Sequence, residues 1–542
     1  MSTQSIEFYN GEIVDGTGSR SYTGNVLVRN GRIQEISKMR IGADQEIDLQ
    51  GKYLTPGFID MHSHSDLRLL NRPRAPEKLT QGVTTEVLGQ DGVSVAPIPS
   101  DLEKEWQSRI QPLNGAYDLP WPWNTIRQYL NEVEKACPAV NCAYYAPHGN
   151  LRSLHAGFDD RELEAYEQEL LEIDLDVAIE HGAFGMSTGM IYPPSSYGSE
   201  EELEALAKTL AARGSFMISH IWNETDRVVE SVKRYLDMCN RAGCHAHVSH
   251  LKIGDKQNWG RADEILSLFD LAEQRGQRVS FDQYPYTAGS TMLTALLPPW
   301  ARNGTSETVL SRLRDPQLRT DMEDDINSPG NWENLVRAAG GWENILITNT
   351  SSGEYEGKTV ADIAESRDSN PIDIVCDILL QENLNVTIAD FVMCEKDIKN
   401  FLTDHRGSIC TDGIFGGKPH PRAIGTFPRI IERYVQDHSV ISIEEAIYKA
   451  AGHPADILGL TDRGYIKEGY VADLVVFDIE QITERPTYKN PNQLTTDFDY
   501  VLVGGEVAVK DGHLTGKRNG QVLRSTEEWN APTRPRISRA NR

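Results

Sequence analysis

Two histidines, His62 and His64, stand one residue apart at the end of the apolar run in PGFIDMHSHSD. Residues i and i+2 of a β-strand point to the same face, so both imidazoles are expected to project together. Imidazoles placed in this way can hold one divalent ion. Such a pair is also compatible with ordinary surface or core histidines. The metal hypothesis therefore depends on further ligands elsewhere in the chain.

Three more potential ligands each follow a short apolar run. His220 ends SFMISH, His250 ends AHVSH, and Asp412 follows GSIC. In a parallel β/α barrel the carboxyl ends of the strands meet at one face, and that face carries the chemistry. The positions of these residues therefore predict one shared metal site, whose ion would lower the pKa of a bound water for hydrolysis.

The middle of the chain has the alternation that such a barrel requires. Helical patterns such as DRELEAYEQELLEIDLDVAIEHG alternate with short apolar runs such as SFMISH, AHVSH, VSFDQYPY and NVTIADFVM. A repeated β-then-α order favours a parallel sheet, and the number of units favours closure. The predicted fold class is α/β, with a (β/α)8 TIM-type barrel over residues 56–464.

The two ends of the chain have a different pattern. Residues 1–55 and 465–525 alternate apolar and polar residues around turn signals, and they are predicted to form one small β-sandwich domain from both termini. A stretch around 292–388, rich in Pro and Gly signals, exceeds an ordinary connection and is predicted to be an insert that covers the active site. The polar, basic tail EEWNAPTRPRISRANR is expected to be loose.

Charge and composition exclude several classes of protein. With 54 Lys and Arg against 80 Asp and Glu, the net charge of −26 argues against nucleic acid or a membrane surface as a partner. No signal peptide is visible, and no apolar run approaches the roughly 18 residues of a membrane helix. The cysteines form no C-x2-C pair and are expected to be buried thiols of a cytoplasmic protein. They are Cys137, Cys142, Cys239, Cys244, Cys376, Cys394 and Cys410.

Several motifs, in their order along the chain, resemble one family. They are TPGFIDMHSHSD, GMSTGMIYPPSSY, ISHIWNETDR, VSHLK, DQYPYTAGST, TDG with HPRAIGTFPR, GYVADLVVFD and VAVKDGHLTG. From about residue 5 to residue 525 the chain resembles the N-acyl-D-amino-acid deacylases (D-aminoacylases) of the amidohydrolase superfamily. The resemblance implies a zinc-dependent enzyme that hydrolyses the amide of N-acyl-D-amino acids, releasing a D-amino acid and a carboxylic acid.

The resemblance also implies roles for single residues. His62 and His64 match the paired histidines of the first strand, whereas His220 and His250 match the ligands of a tightly bound zinc ion. Asp412 matches the catalytic aspartate, which also lies at the metal. The family positions that bind the substrate's carboxylate and carbonyl are occupied by Lys252, Tyr284, Ser290 and Arg422.

The chemistry of these side chains agrees with binding a carboxylate. Lys252 is predicted on the strand face of the histidine ligand, and Arg422 offers a bidentate fork. The hydroxyls of Tyr284 and Ser290 suit hydrogen bonds to a carbonyl or carboxylate, and Tyr192 in MIYPPSS has the same capacity. Each has an alternative role: a solvated lysine for Lys252, core or loop packing for the tyrosines, and turn formation for the serine.

Other histidines leave alternatives open. His148 in APHGNLR fits a supporting or structural role at least as well as a catalytic one. His245 and His247 lie close to the proposed ligand His250. His247 is out of parity with Lys252 along the strand, so parity favours His250 as the ligand.

One position departs from the family. Where the family shows a cysteine in an N-C-G turn, this chain has LGQDGVSVAP, so Asp91 occupies the position of the thiolate ligand. A carboxylate is a harder ligand that still binds zinc and can bridge two ions. We expect weaker zinc binding, one or two ions, and Co2+ or Mn2+ as alternatives. In the other interpretation Asp91 only forms a D-G turn and the second metal position is lost.

In the mechanism expected from this set, Asp412 accepts the proton of the attacking water and returns it to the departing amine. One rival is another amidase or a cyclic-amide hydrolase of hydantoinase or dihydroorotase type, but no lysine is convincingly placed to be the carboxylated bridge of those enzymes. A second rival is a non-catalytic barrel that acts as an interaction protein. The expected partner is a small N-acyl amino acid, and the oligomeric state stays open.

Overall fold

The computed structural model describes residues 5–525, so the tail predicted to be loose lies outside the described residues. The strands are β1 Ile6–Ile13, β2 Tyr22–Arg29, β3 Arg32–Ser37, β4 Gln45–Asp48, β5 Tyr53–Pro56, β6 Phe58–Asp60, β7 Val83–Leu88, β8 Asn141–Tyr144, β9 Ala146–Pro147, β10 Met186–Gly189, β11 Phe216–His220, β12 His245–Val248, β13 Val279–Gln283, β14 Gly289–Met292, β15 Ile345–Thr350, β16 Val386–Asp390, β17 Gly407–Ile409, β18 Leu474–Phe477, β19 Phe498–Val503, β20 Glu506–Lys510 and β21 His513–Leu514.

The α-helices lie mainly between these strands. They are α1 Asp66–Asn71, α2 Pro76–Leu79, α3 Glu103–Asn114, α4 Ile126–Ala136, α5 His148–Ala156, α6 Ala165–Glu180, α7 Glu200–Ala212, α8 Val228–Ala242, α9 Ala262–Gln274, α10 Pro299–Arg302, α11 Ser306–Leu313, α12 Pro316–Asn327, α13 Leu335–Ala339, α14 Val360–Arg367, α15 Pro371–Gln381, α16 Glu395–Thr403, α17 Arg422–Arg429, α18 Ile443–Ile447 and α19 His453–Leu458. Two π-helical segments, Ile430–Asp437 and Tyr448–Gly452, follow α17 and α18 directly. No helix within residues 5–525 is long and apolar enough to cross a membrane.

Parallel strands close into a barrel. One run of pairs joins β6, β7 and β8, and another joins β9, β10, β11, β12, β13 and β17. Only Tyr145 separates β8 from β9, so the two continue one another and the ring has eight strand positions. Asp412 N–H donates to the carbonyl of His62, and His64 N–H donates to that of Gly413, which connects the end of β6 to the loop after β17. The predicted fold class is confirmed.

The sequence of the barrel strands follows from their burial. Helices cover the outside of a parallel barrel and side chains fill the inside, so its strands read as nearly continuous apolar runs. Every residue of β11 and β13 is buried. The helices instead bury one stripe, as in α8, where Val228, Val232, Tyr235 and Cys239 face inward at helical spacing.

Strands from both ends of the chain form one mixed sheet beside the barrel. Its order is β21, β20, β19, β18, β5, β1, β2, β3, and β4 pairs with β1. The antiparallel pair of β5 with β18 joins the N-terminal and C-terminal parts. This sheet has its own apolar core, to which Phe8, Val26, Leu54 and Leu474 contribute.

The stretch predicted to be an insert carries a second small sheet. There β14 and β15 each pair antiparallel with β16. NVTIADFVM, which the sequence analysis grouped with the parallel barrel strands, therefore contributes β16 to this sheet instead. A short apolar run indicates that a strand is buried, but it does not indicate which strand it pairs with. Leu335, Asp390 and Val392 from this part of the chain line a cavity over the barrel mouth.

Candidate metal centre

Four of the predicted ligands meet at the carboxyl end of the barrel. His62 Nε2 lies 3.4 Å from Asp91 Oδ2 and 3.7 Å from Asp412 Oδ1. His64 Nε2 lies 3.5 Å and 3.4 Å from the same two oxygens. All four side chains are buried, and their ligand atoms lie within 4.8 Å of one another. This group can hold one cation.

Asp91 also belongs to a second group, with His220 and His250. His250 Nε2 lies 3.5 Å from Asp91 Oδ1 and 3.3 Å from His220 Nδ1. Because Asp91 directs Oδ2 to the first group and Oδ1 to the second, its carboxylate stands between two potential ion positions. The structure thus brings all of the predicted ligands together.

Three of these residues have left-handed backbone conformations. The φ angles are +54° at Asp91, +34° at His250 and +45° at Asp412. This region costs a non-glycine residue on the order of 1–3 kcal/mol, and such residues cluster at functional sites. Gly92 is also left-handed, with φ of +71°, and a Cβ there would lie 2.5 Å from Ser195 Oγ. The D-G turn is therefore present, and it is the turn that directs Asp91 toward the histidines.

The buried polar atoms of the site fit a bound cation. Within residues 5–525, no hydrogen-bond partner exists for either ring nitrogen of His62, for Nδ1 of His64, for Oδ1 of Asp91 or for Nε2 of His220. A buried polar atom without a partner costs about 1–3 kcal/mol. Imidazole nitrogens and carboxylate oxygens are zinc ligands, so one or two zinc ions would remove much of this cost.

A buried network below the ligands fixes their strand ends. Lys78 Nζ lies 2.5 Å from Asp60 Oδ2 and donates to Thr411 Oγ1 at 3.0 Å. Asp60 Oδ1 accepts the Thr411 N–H at 2.7 Å. Ser63, which lies between the paired histidines, donates to Glu86 at 2.8 Å. The network therefore connects the H-x-H segment to the segment that carries the candidate catalytic aspartate.

Three carboxylates beside the histidines were not predicted from the sequence. Asp282 Oδ1 accepts the His250 N–H at 2.6 Å, and its Oδ2 lies 2.9 Å from His247 Nε2. Glu224 Oε1 lies 3.1 Å from His250 Nδ1. Glu333, from the insert, accepts the Glu224 N–H. Glu224 is thus placed to fix the orientation and tautomer of the His250 ring, whereas Asp282 holds the His250 backbone and Glu333 holds that of Glu224. Only Asp282 had a sequence signal, since it occupies a strand end in VSFDQ.

The remaining histidines lie outside the metal groups. His245 Nε2 and His247 Nδ1 contact the same hydroxyl, that of Ser280, at 2.8 Å and 2.7 Å. His250 is the histidine that lies in a metal group, but the strand-parity argument does not explain it, because β12 ends at Val248 and both His250 and Lys252 lie beyond it. His148 is buried with Nε2 2.8 Å from Glu202 Oε1, in a separate network. His148 therefore lies outside the metal groups of the described residues, in contact with Glu202.

A cavity with about 520 Å³ of empty space lies over the metal groups. Arg422 Nη2 lies 2.8 Å from Asp412 Oδ2, whereas its Nε and Nη1 are buried without partners in the described chain. The hydroxyl of Tyr284 is likewise buried without a partner, and its ring centroid lies 4.3 Å from the Arg422 guanidinium carbon. These donors are available to a ligand carboxylate.

Lys252 lies in the same cavity but is already engaged. Its Nζ donates to Glu224 Oε2 at 2.7 Å and lies 2.6 Å from His250 Nδ1. The contact with Glu224 holds that carboxylate against the histidine ring. The geometry therefore places Lys252 behind a metal ligand, whereas the resemblance implied a direct contact with the substrate.

Ser290 and Tyr192 complete the predicted set. The carbonyl of Ser290 accepts a hydrogen bond from Arg422 Nη2 at 3.0 Å. The hydroxyl of Tyr192 lies 2.9 Å from Thr291 Oγ1, and its ring centroid lies 5.1 Å from that of His220. Both residues line the cavity. In this structure Tyr192 contributes its ring to the site, since its hydroxyl is engaged.

Burial and neighbouring charges shift the pKa values of two cavity carboxyls in opposite directions. Burial alone would raise the pKa of Asp412, but Arg422 and His62 outweigh it and hold that pKa well below its ordinary value. Asp412 is therefore an ionised carboxylate. Burial raises the pKa of Asp390 to about 7, although Lys252 and Arg422 act against the rise.

Imidazoles and carboxylates at the mouth of a (β/α)8 barrel define a metal-dependent hydrolase. The chain belongs to the amidohydrolase family, whose model matches residues 45–509. It is 30% identical over 516 residues to the N-acyl-D-glutamate deacylase of Alcaligenes xylosoxydans xylosoxydans, with 95% of each chain covered. It is 29% identical over 527 residues to the D-aminoacylase of the same organism, with 95% of this chain and 96% of the relative covered.

A solved structure gives the same assignment. The crystal structure of N-acyl-D-glutamate deacylase from Bordetella bronchiseptica, in complex with zinc and a phosphonate inhibitor, matches with a TM-score of 0.82 and 30% identity. The match covers 97% of this chain and 100% of that one. The resemblance inferred from the motifs is confirmed.

Proposed function

We propose that this chain is a zinc-dependent deacylase that hydrolyses N-acyl-D-amino acids to a D-amino acid and a carboxylic acid. The observation that carries the proposal is the convergence of imidazoles and carboxylates from distant strand ends in one cavity, beside unpaired donors that suit a carboxylate. The deacylases to which the chain is similar support D-amino acid derivatives as the substrate class. Within the described residues the cysteines are free thiols, which supports a cytoplasmic enzyme.

Zinc bound by these ligands would lower the pKa of a water molecule and polarise the amide carbonyl. Asp412 is placed to accept the proton of the attacking water, because it is ionised and lies among the metal ligands. The same carboxyl then protonates the amine nitrogen as the carbon–nitrogen bond breaks. Arg422 keeps Asp412 ionised before the first transfer, and Asp412 then carries the proton until it passes to the amine.

Arg422 and Tyr284 are the proposed carboxylate-binding pair. Nε and Nη1 of Arg422 lie on different edges of the guanidinium, so each can donate a single charge-assisted hydrogen bond, and the Tyr284 hydroxyl can add another. Ser290 supports the arginine through its carbonyl. Lys252 acts through Glu224, which orients His250. The substrate's carboxylate is thus held beside Asp412, and the amide reaches the metal groups.

The test is a panel of N-acetylated and N-formylated D- and L-amino acids, assayed with zinc, cobalt and manganese by release of the free amino acid. We expect hydrolysis of D-compounds, with activity lost after chelation and restored by metal. Hydantoin and dihydroorotate serve as cyclic-amide controls. Ring opening without deacylation would replace the proposal with a cyclic-amide hydrolase, and no reaction at full metal loading would favour a non-catalytic barrel.

A further inference from the structure

Asp390 is a carboxylate of the cavity that the proposed mechanism does not use. It is the last residue of β16, where it pairs with Gly289 of β14 on one side and with Ile345 of β15 on the other. Its side chain lines the cavity, and the residue is only 4% exposed. Asp390 belongs to none of the potential metal groups of the described chain. Asp390 therefore lines the cavity without being a candidate metal ligand.

The Asp390 carboxylate has no partner in the described part of the chain besides its own backbone N–H. Among residues 5–525, no other residue donates a hydrogen bond to it, and no side-chain cation lies within the 4.0 Å of an ion pair. A largely buried carboxylate without a charged partner is costly, because burial disfavours its ionised form. Such a group persists most readily where a ligand supplies the missing donors.

The nearest cations are committed to other carboxylates. Lys252 donates to Glu224 at 2.7 Å, and Arg422 lies 2.8 Å from Asp412. Their attraction reaches Asp390 but does not offset its burial, since the pKa of Asp390 is raised to about 7. With a pKa of about 7, Asp390 is partly protonated at neutral pH, and a cation bound beside it would hold it ionised.

The structure also keeps space beside this carboxylate. A Cβ at Gly289 would lie 2.7 Å from Asp390 Oδ1, so a side chain at the opposing position would press on the carboxylate. Glu333 is a second acid of the same cavity wall, and its charge also acts on Asp390. Asp390 and Glu333 together attract a cation in the cavity and repel a carboxylate on a ligand.

We infer that Asp390 selects N-acyl amino acids whose side chain ends in a cationic nitrogen, an amine or a guanidinium. The inference rests on the proposed function, because it places the substrate's α-carboxylate at Arg422 and Tyr284 and leaves the side chain to face the insert. A charge-assisted hydrogen bond to Asp390 contributes more than a neutral one. Side chains that are acidic are disfavoured by Asp390 and Glu333 together.

The test compares N-acetyl-D-lysine and N-acetyl-D-arginine with N-acetyl-D-norleucine, which has a similar length and no charge, and with N-acetyl-D-glutamate. We expect kcat/KM for the lysine compound to exceed that for the norleucine compound by about 10- to 100-fold in the zinc-loaded enzyme. Asp390→Asn should remove this preference and leave the rate for the norleucine compound within about threefold, because the asparagine keeps the shape of the side chain.

Asp324→Asn is the matched control, since Asp324 is an exposed aspartate on α12 of the same insert. It should retain the wild-type preference. Equal rates for the lysine and norleucine compounds in the wild type would overturn the inference. So would an Asp390→Asn variant that lowers both rates by the same factor, which is the behaviour of a merely structural residue.

Calorimetric binding of the same compounds separates this inference from the proposed function. If no compound is hydrolysed at full zinc loading, the deacylase proposal fails. Selective binding is then the remaining criterion: N-acetyl-D-lysine must bind the wild type at least tenfold more tightly than the norleucine compound, and about equally in Asp390→Asn. If the lysine and norleucine compounds bind the wild type equally well, Asp390 does not select the substrate's side chain either.

Discussion

Two aspartates, Asp91 and Asp412, connect the metal groups at the scale of single residues. Each lies close to both His62 and His64, and both have positive φ angles. Asp412 could be found in the sequence from its position after an apolar run, and Asp91 from the resemblance, since it stands where the family has a cysteine. Their backbone conformations and their distances from the histidines could not, because both depend on how the strand ends pack against one another.

We expect Asp412→Asn to lower kcat by about 10²- to 10⁴-fold, because an amide cannot take the proton from water and return it to the amine. Metal content should change little, since the variant keeps the shape of the side chain and the other ligands remain. Turnover and zinc per chain are measured on the same samples. Near-full activity at full zinc content would contradict the proposed role.

We expect Asp91→Cys to retain zinc longer against a chelator than the wild type, because a thiolate is the softer ligand. Asp91→Asn is the matched comparison: asparagine accepts the left-handed conformation but removes the charge, so zinc should leave faster. The measurement is zinc remaining against time at a fixed chelator concentration. Unchanged zinc loss in Asp91→Asn would mean that Asp91 serves only the turn.

At the scale of elements, the site depends on how β6, β7 and β17 are held together. Asp60 follows Phe58 and Ile59 in β6, Lys78 lies on α2, and Thr411 immediately precedes the aspartate after β17. Lys78 is 2% exposed, so its contact with Asp60 is shielded from water. Lys78 and Asp60 also both contact Thr411. Together they hold the ends of β6 and β17, which precede metal ligands, next to each other.

Lys78→Met should reduce the free energy of unfolding by about 3–5 kcal/mol, because it leaves the buried Asp60 without its cation. Lys135→Met is the control. Lys135 pairs with Glu132 at 2.7 Å, but its side chain is 70% exposed, and the change should stay within about 0.5 kcal/mol. Urea unfolding of the two variants decides the comparison. Similar losses of unfolding free energy in both variants would show that the buried pair contributes no more to stability than the exposed pair.

At the scale of the whole molecule, the metal groups exist only in the closed barrel. Their ligands come from the end of β11 and from the segments after β6, β7, β12 and β17. An unfolded chain separates these side chains, so zinc binds the folded protein in preference. Metal binding and folding are therefore coupled.

Removal of zinc should consequently lower the thermal midpoint. Free zinc at a thousandfold excess over its dissociation constant stabilises the folded state by about 4 kcal/mol. His220→Ala should reduce the zinc-dependent shift measured by calorimetry, because it removes a ligand of the second group. His405→Ala, at a histidine whose side chain is 65% exposed, should keep it. Equal shifts in both variants would place the stabilising zinc elsewhere.

Ligands could be predicted from the sequence where a local pattern marked them. His62, His64, His220 and His250 each end or follow an apolar run, and such runs become strands that share one rim. Glu224 and Glu333 were not predicted, because neither occupies such a position. A direct contact of Lys252 with the substrate stays a prediction, since Lys252 both pairs with Glu224 and lines the cavity.

The sequence by itself determined the barrel, the terminal β domain and the order of ligand-type residues, because these depend on short-range patterns of burial and turns. Only the tertiary structure decided which atoms meet. Glu333 reaches the Glu224 N–H across 109 residues, and β16 pairs antiparallel inside the insert. Asp390 thereby reaches the cavity. Contacts of this range depend on how whole elements pack, and no local pattern encodes them.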